Sequence, residues 1–400
     1  MQIKKKKFPS RKALGNKEIQ SLKNVIKYYL KKGVDPAYQG YFEEKLCKKF
    51  SKMMHGGYAD ACASGTAAAL IAISSLELKE YSEVLITPVC DSGPVNAIIF
   101  NKLKPKLIDS EKNNYNVSLE EFEKRISKNT KAAIIVHAAG DASQISKIAN
   151  LARKKGIKII EDCSQAPFAK CSFCTIRCRE CKNKYLGEFG DISFFSTMYS
   201  KNISSCGSGG IVFTKKKKNY YKILSYADRG KQVWRKELNL KDPSKALHPA
   251  LNLNSNEFSS AIANASLNRV IKTNNLRKNF VRHLKIFLEK SKLCSILFKN
   301  ISTISPFYIP IKVDLKKIKI SKKKFAKEIR HEGVPLLDHY GCIINDWPWL
   351  KKIMEDKFKT KNAIDFRNST FNLFLNENYK KIHAQKIVKA ILKIEKNYLK

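Results

Sequence analysis

The chain carries a lysine in a setting that suits covalent chemistry. Lys201 closes the segment Gly190-Asp191-Ile192-Ser193-Phe194-Phe195-Ser196-Thr197-Met198-Tyr199-Ser200-Lys201-Asn202, which runs into the glycine-rich Gly207-Ser208-Gly209-Gly210. It follows a strand-like run, has the hydroxyl of Ser196 shortly before it, and precedes a loop whose backbone can approach a ligand closely. Such a context fits a lysine that forms a Schiff base. Upstream, Glu161-Asp162-Cys163-Ser164-Gln165-Ala166 follows the apolar run 157–160. An acid at the carboxyl end of a buried parallel strand points into the ligand crevice, where it needs a cationic partner to offset desolvation. Earlier still, Ala63-Ser64-Gly65-Thr66-Ala67-Ala68-Ala69-Leu70 puts small residues at the start of a helix-forming run. The Gly65 and Thr66 N–H groups there suit a phosphate dianion, although Ser-Gly-Thr also serves as a plain N-cap. Finally, Cys171, Cys174, Cys178 and Cys181 form two CxxC pairs three residues apart. Four thiolates of this kind could hold Zn²⁺ or an iron–sulfur cluster as a structural clip, though the spacing matches neither a zinc ribbon nor the common ferredoxin run. The competing reading is four free surface thiols.

The elements that must position these groups show a strand–helix rhythm. β-rich runs at 83–87, 106–109, 132–137, 157–161, 191–195 and 210–213 alternate with helix-like stretches such as 118–126 and 143–155. This rhythm predicts a largely parallel sheet sandwiched by helices, with ligands at the carboxyl ends of its strands. Beyond 256 the pattern becomes a long helical stretch to about 290. Strand candidates follow at 308–313 and 371–375, with a closing helix at 384–398. The division expected is a large domain over 1–265, with the four-Cys insertion at 171–181, and a smaller α/β domain over 266–400.

A chain of 400 residues, 43% hydrophobic, is long enough to bury a full core. Its 77 basic and 35 acidic residues give a net charge of +42, a field that attracts anions. Lysine is scattered evenly beside Asn and Ile rather than clustered with Arg, which reads as compositional bias and argues against a nucleic-acid grip. The Lys-rich stretches 215–218 and 316–324 read as solvated loops or edges. No apolar run follows the basic residues Lys4 to Lys7, and no stretch approaches the length of a membrane span, so a soluble cytoplasmic protein is expected. Eleven cysteines without a signal segment argue against a disulfide framework.

Taken in order, Ser64-Gly65-Thr66, Glu161-Asp162 with Gln165, and Gly190-Asp191 through Lys201-Asn202 resemble the DegT/DnrJ/EryC1/StrS family of sugar aminotransferases, of pyridoxal-phosphate fold type I. The resemblance runs from Phe42-Glu43 through Pro88, Pro105 with Asp109, and Val136-His137 to the C-terminal region. It implies pyridoxal 5′-phosphate as cofactor, an amino-acid donor such as glutamate, and a nucleotide-linked keto-deoxy sugar as acceptor, for polysaccharide or a glycosylated metabolite. Lys201 would then hold the cofactor and later shuttle a proton. Asp162 would pair with the ring nitrogen, Gln165 with the phenolic oxygen, and Gly65, Thr66 and Ser196 with the phosphate. Asn252 would reach the phosphate from the other subunit of a homodimer, since 250–263 resembles the family's Gly-Tyr-Asn stretch and its following helix. Asp228-Arg229-Gly230-Lys231 matches a family turn, and His339-Tyr340 lies where the family has a substrate-side pair. Three features depart from the pattern: Val89-Cys90-Asp91-Ser92-Gly93-Pro94 holds no ring-stacking aromatic, Pro167-Phe168 replaces histidine and glycine, and Asn254 replaces an arginine. Sugar dehydratases of the same fold replace the lysine with histidine, so Lys201 argues for amino transfer. A nucleic-acid binder built on charge and cysteines leaves the three motifs without a reason.

Overall fold

The computed structural model describes residues 8–11, 13–171, 181 and 183–400. Seven strands, β1 (Tyr58–Cys62), β2 (Glu83–Ile86), β3 (Lys104–Leu107), β4 (Thr130–Val136), β5 (Lys158–Asp162), β6 (Ile192–Ser196) and β7 (Gly210–Thr214), form one sheet in the order β1-β7-β6-β5-β4-β2-β3. All neighbours pair in parallel except β7, which is antiparallel to both β6 and β1. The central strands are continuous apolar runs because helices cover both faces. One covering helix, Gly65–Ser74, is apolar all round and buried, as a helix enclosed by its neighbours must be.

Four further strands, β8 (Cys294–Ile296), β9 (Tyr308–Val313), β10 (Leu336–Leu337) and β11 (Thr370–Phe374), make an antiparallel sheet in the order β10-β11-β9-β8. The change of core falls inside the helix Val270–Leu288. Val270 packs with the large sheet, while Phe280, Val281, Leu284 and Leu288 pack with the small one. Phe8, from the chain's beginning, also joins the second core. A cut between 1–265 and 266–400 therefore falls inside the helix Glu257–Leu267, just ahead of the helix that both cores share.

Both Lys-rich stretches are largely exposed, as solvated loops or edges are, with one anchored lysine in each. Lys215 Nζ donates to the Met54, His55 and Gly56 carbonyls and pairs with Glu188. Lys322 is buried in the first turn of the helix Lys322–His331 and donates to Asp338 O at 2.6 Å. Lys322 buries its hydrocarbon stem while its ammonium group finds an acceptor. No helix among the described residues is long and apolar enough to cross a membrane.

Candidate active site

Register brings the sequence motifs together. Gly210 of β7 faces both Cys62 of β1 and Ser196 of β6, so the loop after β1 meets the end of β6. Only glycine fits at 210, where a Cβ would stand 2.3 Å from Ser64 O. At Gly65 a Cβ would stand 2.7 Å from Ser196 Cβ, so this helix start and the serine form one cradle. Ser64 Oγ caps Ala67 N at 3.0 Å, which leaves the Gly65 and Thr66 N–H groups at the open end of the helix. Thr66 is exposed there, with Gly93 of the neighbouring helix start packed behind it.

Asp162 ends β5 and pairs with Phe194 of β6. Its Oδ1 accepts from Ser164 N at 2.9 Å, and Ser164 Oγ accepts in turn from Ser196 N at 3.2 Å, which ties the acid to the cradle. Burial raises the Asp162 pKa; hydrogen bonds from Ser164 and the nearby charges of Lys201 and His137 oppose that. Lys201 shows the mirror image. Burial lowers its pKa, while Asp162, Asp91 and Cys342 draw it back up. A half-buried amine and a buried acid thus lie within electrostatic reach, each making charge on the other less costly. The amine lies 4.5 Å from the centre of the Phe307 ring.

The adjacent acid has a different task. Because strand side chains alternate, Glu161 points away from Asp162. It is fully buried and accepts from Gly187 N, Phe189 N and Gly190 N at 2.7–2.8 Å, with His137 Nε2 at 3.1 Å. His137, Glu161 and Cys163 lie close enough together to suggest a metal site, but these donors already occupy the carboxylate.

Gln165 Oε1 accepts from Ala139 N at 2.8 Å, and its side chain also bonds Tyr340. Tyr340 packs at a tilt against Tyr308 and Tyr115, ring centres 5.2 and 5.5 Å away. His339 turns outward; it is exposed among Arg367, Lys322 and Lys323, and its pKa is lowered chiefly by partial burial and then by these cations. Asn252 is exposed and donates to Tyr38 Oη at 3.0 Å, while Asn254 Nδ2 donates to Asn252 Oδ1 at 2.9 Å. Within one chain its bonds lead to neither Lys201 nor Asp162. Cys171 and Cys181 are both buried near the Lys170–Tyr185 bridge, and Cys171 Sγ lies 3.7 Å from Ser146 Oγ. Cys174 and Cys178 lie outside the described residues.

Sequence reading missed Phe307, Asp91 and Cys342. An aromatic at the start of the predicted 308–313 strand is the one available signal for Phe307. Asp91 reads as an N-cap, which it also is, accepting from Gly93 N at 3.2 Å. Cys342 arrives only through the long-range bridge between Val89 and Ile343.

Sheet order, the single antiparallel strand and the lysine–acid pocket define the aminotransferase architecture of fold type I. A crystal structure of an aminotransferase from Psychrobacter cryohalolentis superposes with a TM-score of 0.87 at 18% identity, over 98% of this chain and 99% of that one. A GDP-4-keto-6-deoxymannose-3-dehydratase reaches 0.81 at 17% identity, over 94% and 98%. The chain belongs to the DegT/DnrJ/EryC1/StrS aminotransferase family, which residues 17–392 match. A GDP-perosamine synthase of Escherichia coli O157:H7 is 32% identical over 218 residues, 54% of this chain. The match spans 57% of that relative, little more than half its length.

Proposed function

We propose that this chain transfers an amino group from an amino-acid donor, glutamate in the simplest case, to a nucleotide-linked keto-deoxy sugar, with pyridoxal 5′-phosphate attached to Lys201. The observation that carries this reading is the half-buried Lys201 amine within electrostatic reach of Asp162, an acid tied through Ser164 to the Gly65–Ser196 cradle. The donor set fits the cofactor: an amine for its aldehyde, an acid for its ring nitrogen, and a helix start for its phosphate. When bound, the cofactor supplies a sink for the electron pair left when the substrate's C–H bond breaks.

The protein's own groups do the rest. Lys201 Nζ would hold the cofactor and carry the proton to and from the substrate carbon, and its lowered pKa favours the free amine that a base needs. Asp162 holds positive charge at the ring nitrogen. Gln165, fixed by Ala139 N and Tyr340, faces the phenolic oxygen. The Gly65 and Thr66 N–H groups and Ser196 Oγ hold the phosphate. Asn252, exposed in the single chain, reaches the phosphate across a homodimer interface. His339, beside Lys322, Lys323 and Arg367, lies at the substrate entrance, where a basic rim suits a diphosphate. Setting is cytoplasmic, in polysaccharide or glycosylated-metabolite synthesis. The insertion's Cys171, Cys174, Cys178 and Cys181 clip the loop through Zn²⁺ or an iron–sulfur cluster; metal analysis of the parent and a Cys174→Ser/Cys178→Ser variant tests this, and no metal in the parent ends it.

The fold neighbour named as a dehydratase supports a second reading, loss of a sugar hydroxyl without net amino transfer. Lys201 favours the first. Protein converted to the amine form of the cofactor with glutamate, then mixed with GDP- and UDP-linked keto sugars, should regain its visible absorbance and yield an amino sugar. A deoxy sugar without nitrogen as product would establish the second reading; no response to any keto sugar would sink both.

A further inference from the structure

We propose that Arg11 is a positioning residue for the amino-transfer reaction, clamping the backbone turn that carries Lys201 so that its amine stays fixed against Phe307. The inference rests on Lys201 being the cofactor's amine. Arg11 Nη2 donates to Lys201 O at 2.5 Å and Nη1 to Tyr199 O at 3.2 Å, across sequence distances of 190 and 188 residues. Glu377 stands between Arg11 Nε, at 3.6 Å, and Arg277 Nη2, at 2.9 Å. Arg277 is fully buried in the helix Val270–Leu288 and donates to Asn202 Oδ1 and to Pro306 O. Asn202 Nδ2 completes the ring by donating to Ser305 Oγ at 2.9 Å and Asn274 Oδ1 at 3.0 Å.

The turn is therefore held from two sides, by its carbonyls on Arg11 and by the next side chain on the segment that leads into Phe307. Arg11 is itself anchored, since Asn376 and Asn378 donate to the Pro9 and Ser10 carbonyls at 3.0 and 2.9 Å and Phe8 sits in the second core. Burying the Arg277 guanidinium beside two half-buried charges is costly, and among the described residues neither its Nε nor Arg11 Nε makes a hydrogen bond. A network that converges on the carbonyls and side chain of residues 199–202 makes sense if the position of one amine matters, because reactive groups must be held to within about 0.5 Å. The groups facing that amine are Asp162 on β5, Asp91 at the helix start Ser92–Phe100, Cys342 and the Phe307 ring.

The test is a pH titration of the visible absorbance of the cofactor-loaded protein, comparing the parent with Arg11→Ala and Arg11→Lys. Releasing the turn lets water reach the cationic Lys201–cofactor linkage, so Arg11→Ala should keep its cofactor while the midpoint rises by about one pH unit, a tenfold change in proton affinity. Turnover should fall about tenfold with KM for the donor changed much less, and Arg11→Lys should recover part of both. A folded, loaded Arg11→Ala that titrates with the parent's midpoint refutes the clamp alone. If Arg11→Ala fails to fold, Glu377→Gln must move the midpoint in the same direction, and an unmoved midpoint refutes the clamp. A parent without any visible band refutes the Lys201 reading and the clamp with it.

Discussion

At the scale of the residue, Glu161 and Asp162 show how neighbours in sequence acquire unrelated tasks. One faces the loop at 187–190 and one faces the lysine, because a strand alternates its side chains. Glu161→Ala should strand one buried and two part-buried N–H groups and cost about 3 kcal/mol of stability, read as a large drop in melting temperature. Asp162→Asn preserves volume, so the protein should melt near the parent and still take up cofactor, with turnover reduced on the order of a hundredfold. A near-normal rate for Asp162→Asn would remove that residue from its role. The dipeptide was legible in the sequence as an acidic strand end; which acid faces the pocket follows only from the strand's phase. The pair His339-Tyr340 was legible in the same partial way, as its tyrosine turns inward to Gln165 and its histidine outward.

Elements were legible where burial makes a sequence monotonous. The runs at 83–87, 132–137 and 157–161 lie within a residue or two of β2, β4 and β5, since central parallel strands are apolar on both faces. β1 was not seen, because its five residues mix tyrosine, alanines and the buried Asp60. The reversed direction of β7 has no local signature; it depends on which neighbours it pairs with. β8 and β10 are too short, at three and two residues, to carry a period. Asp60 also has an energetic consequence. It faces Glu43, whose pKa is pushed from 4.5 up to about 9 by burial first and then by Asp60, Glu257 and Asp228. The folded state therefore binds a proton that the unfolded state has released. That contribution to stability is complete below pH 4.5 and is lost as pH rises towards 9. Melting temperature should fall across this window, and Glu43→Gln should flatten the fall. An equally steep decline in that variant would contradict the assignment.

For the whole molecule, the Lys201 pocket lies where two cores meet, a location no local pattern discloses. The residues that frame it come from the large sheet, the segment entering β9 and the chain's first described residues. Its charge of +42 limits the sign of what it attracts and says nothing further about which substrate. The proposed homodimer makes a sharper claim through Asn252, exposed in the single chain. Mixing Lys201→Ala with Asn252→Ala under conditions that exchange subunits should restore up to about a quarter of parental turnover, because half of the dimers then carry one intact site. No recovery, with exchange shown by mass labelling, would mean that Asn252 serves its own chain or none.

The central claim is the covalent attachment at Lys201, and borohydride reduction of the cofactor-loaded protein followed by peptide mapping tests it most directly. The expected result is a single pyridoxyl group on the peptide that contains Lys201, absent from Lys201→Ala. A label on a different lysine, or none despite bound cofactor, would contradict it.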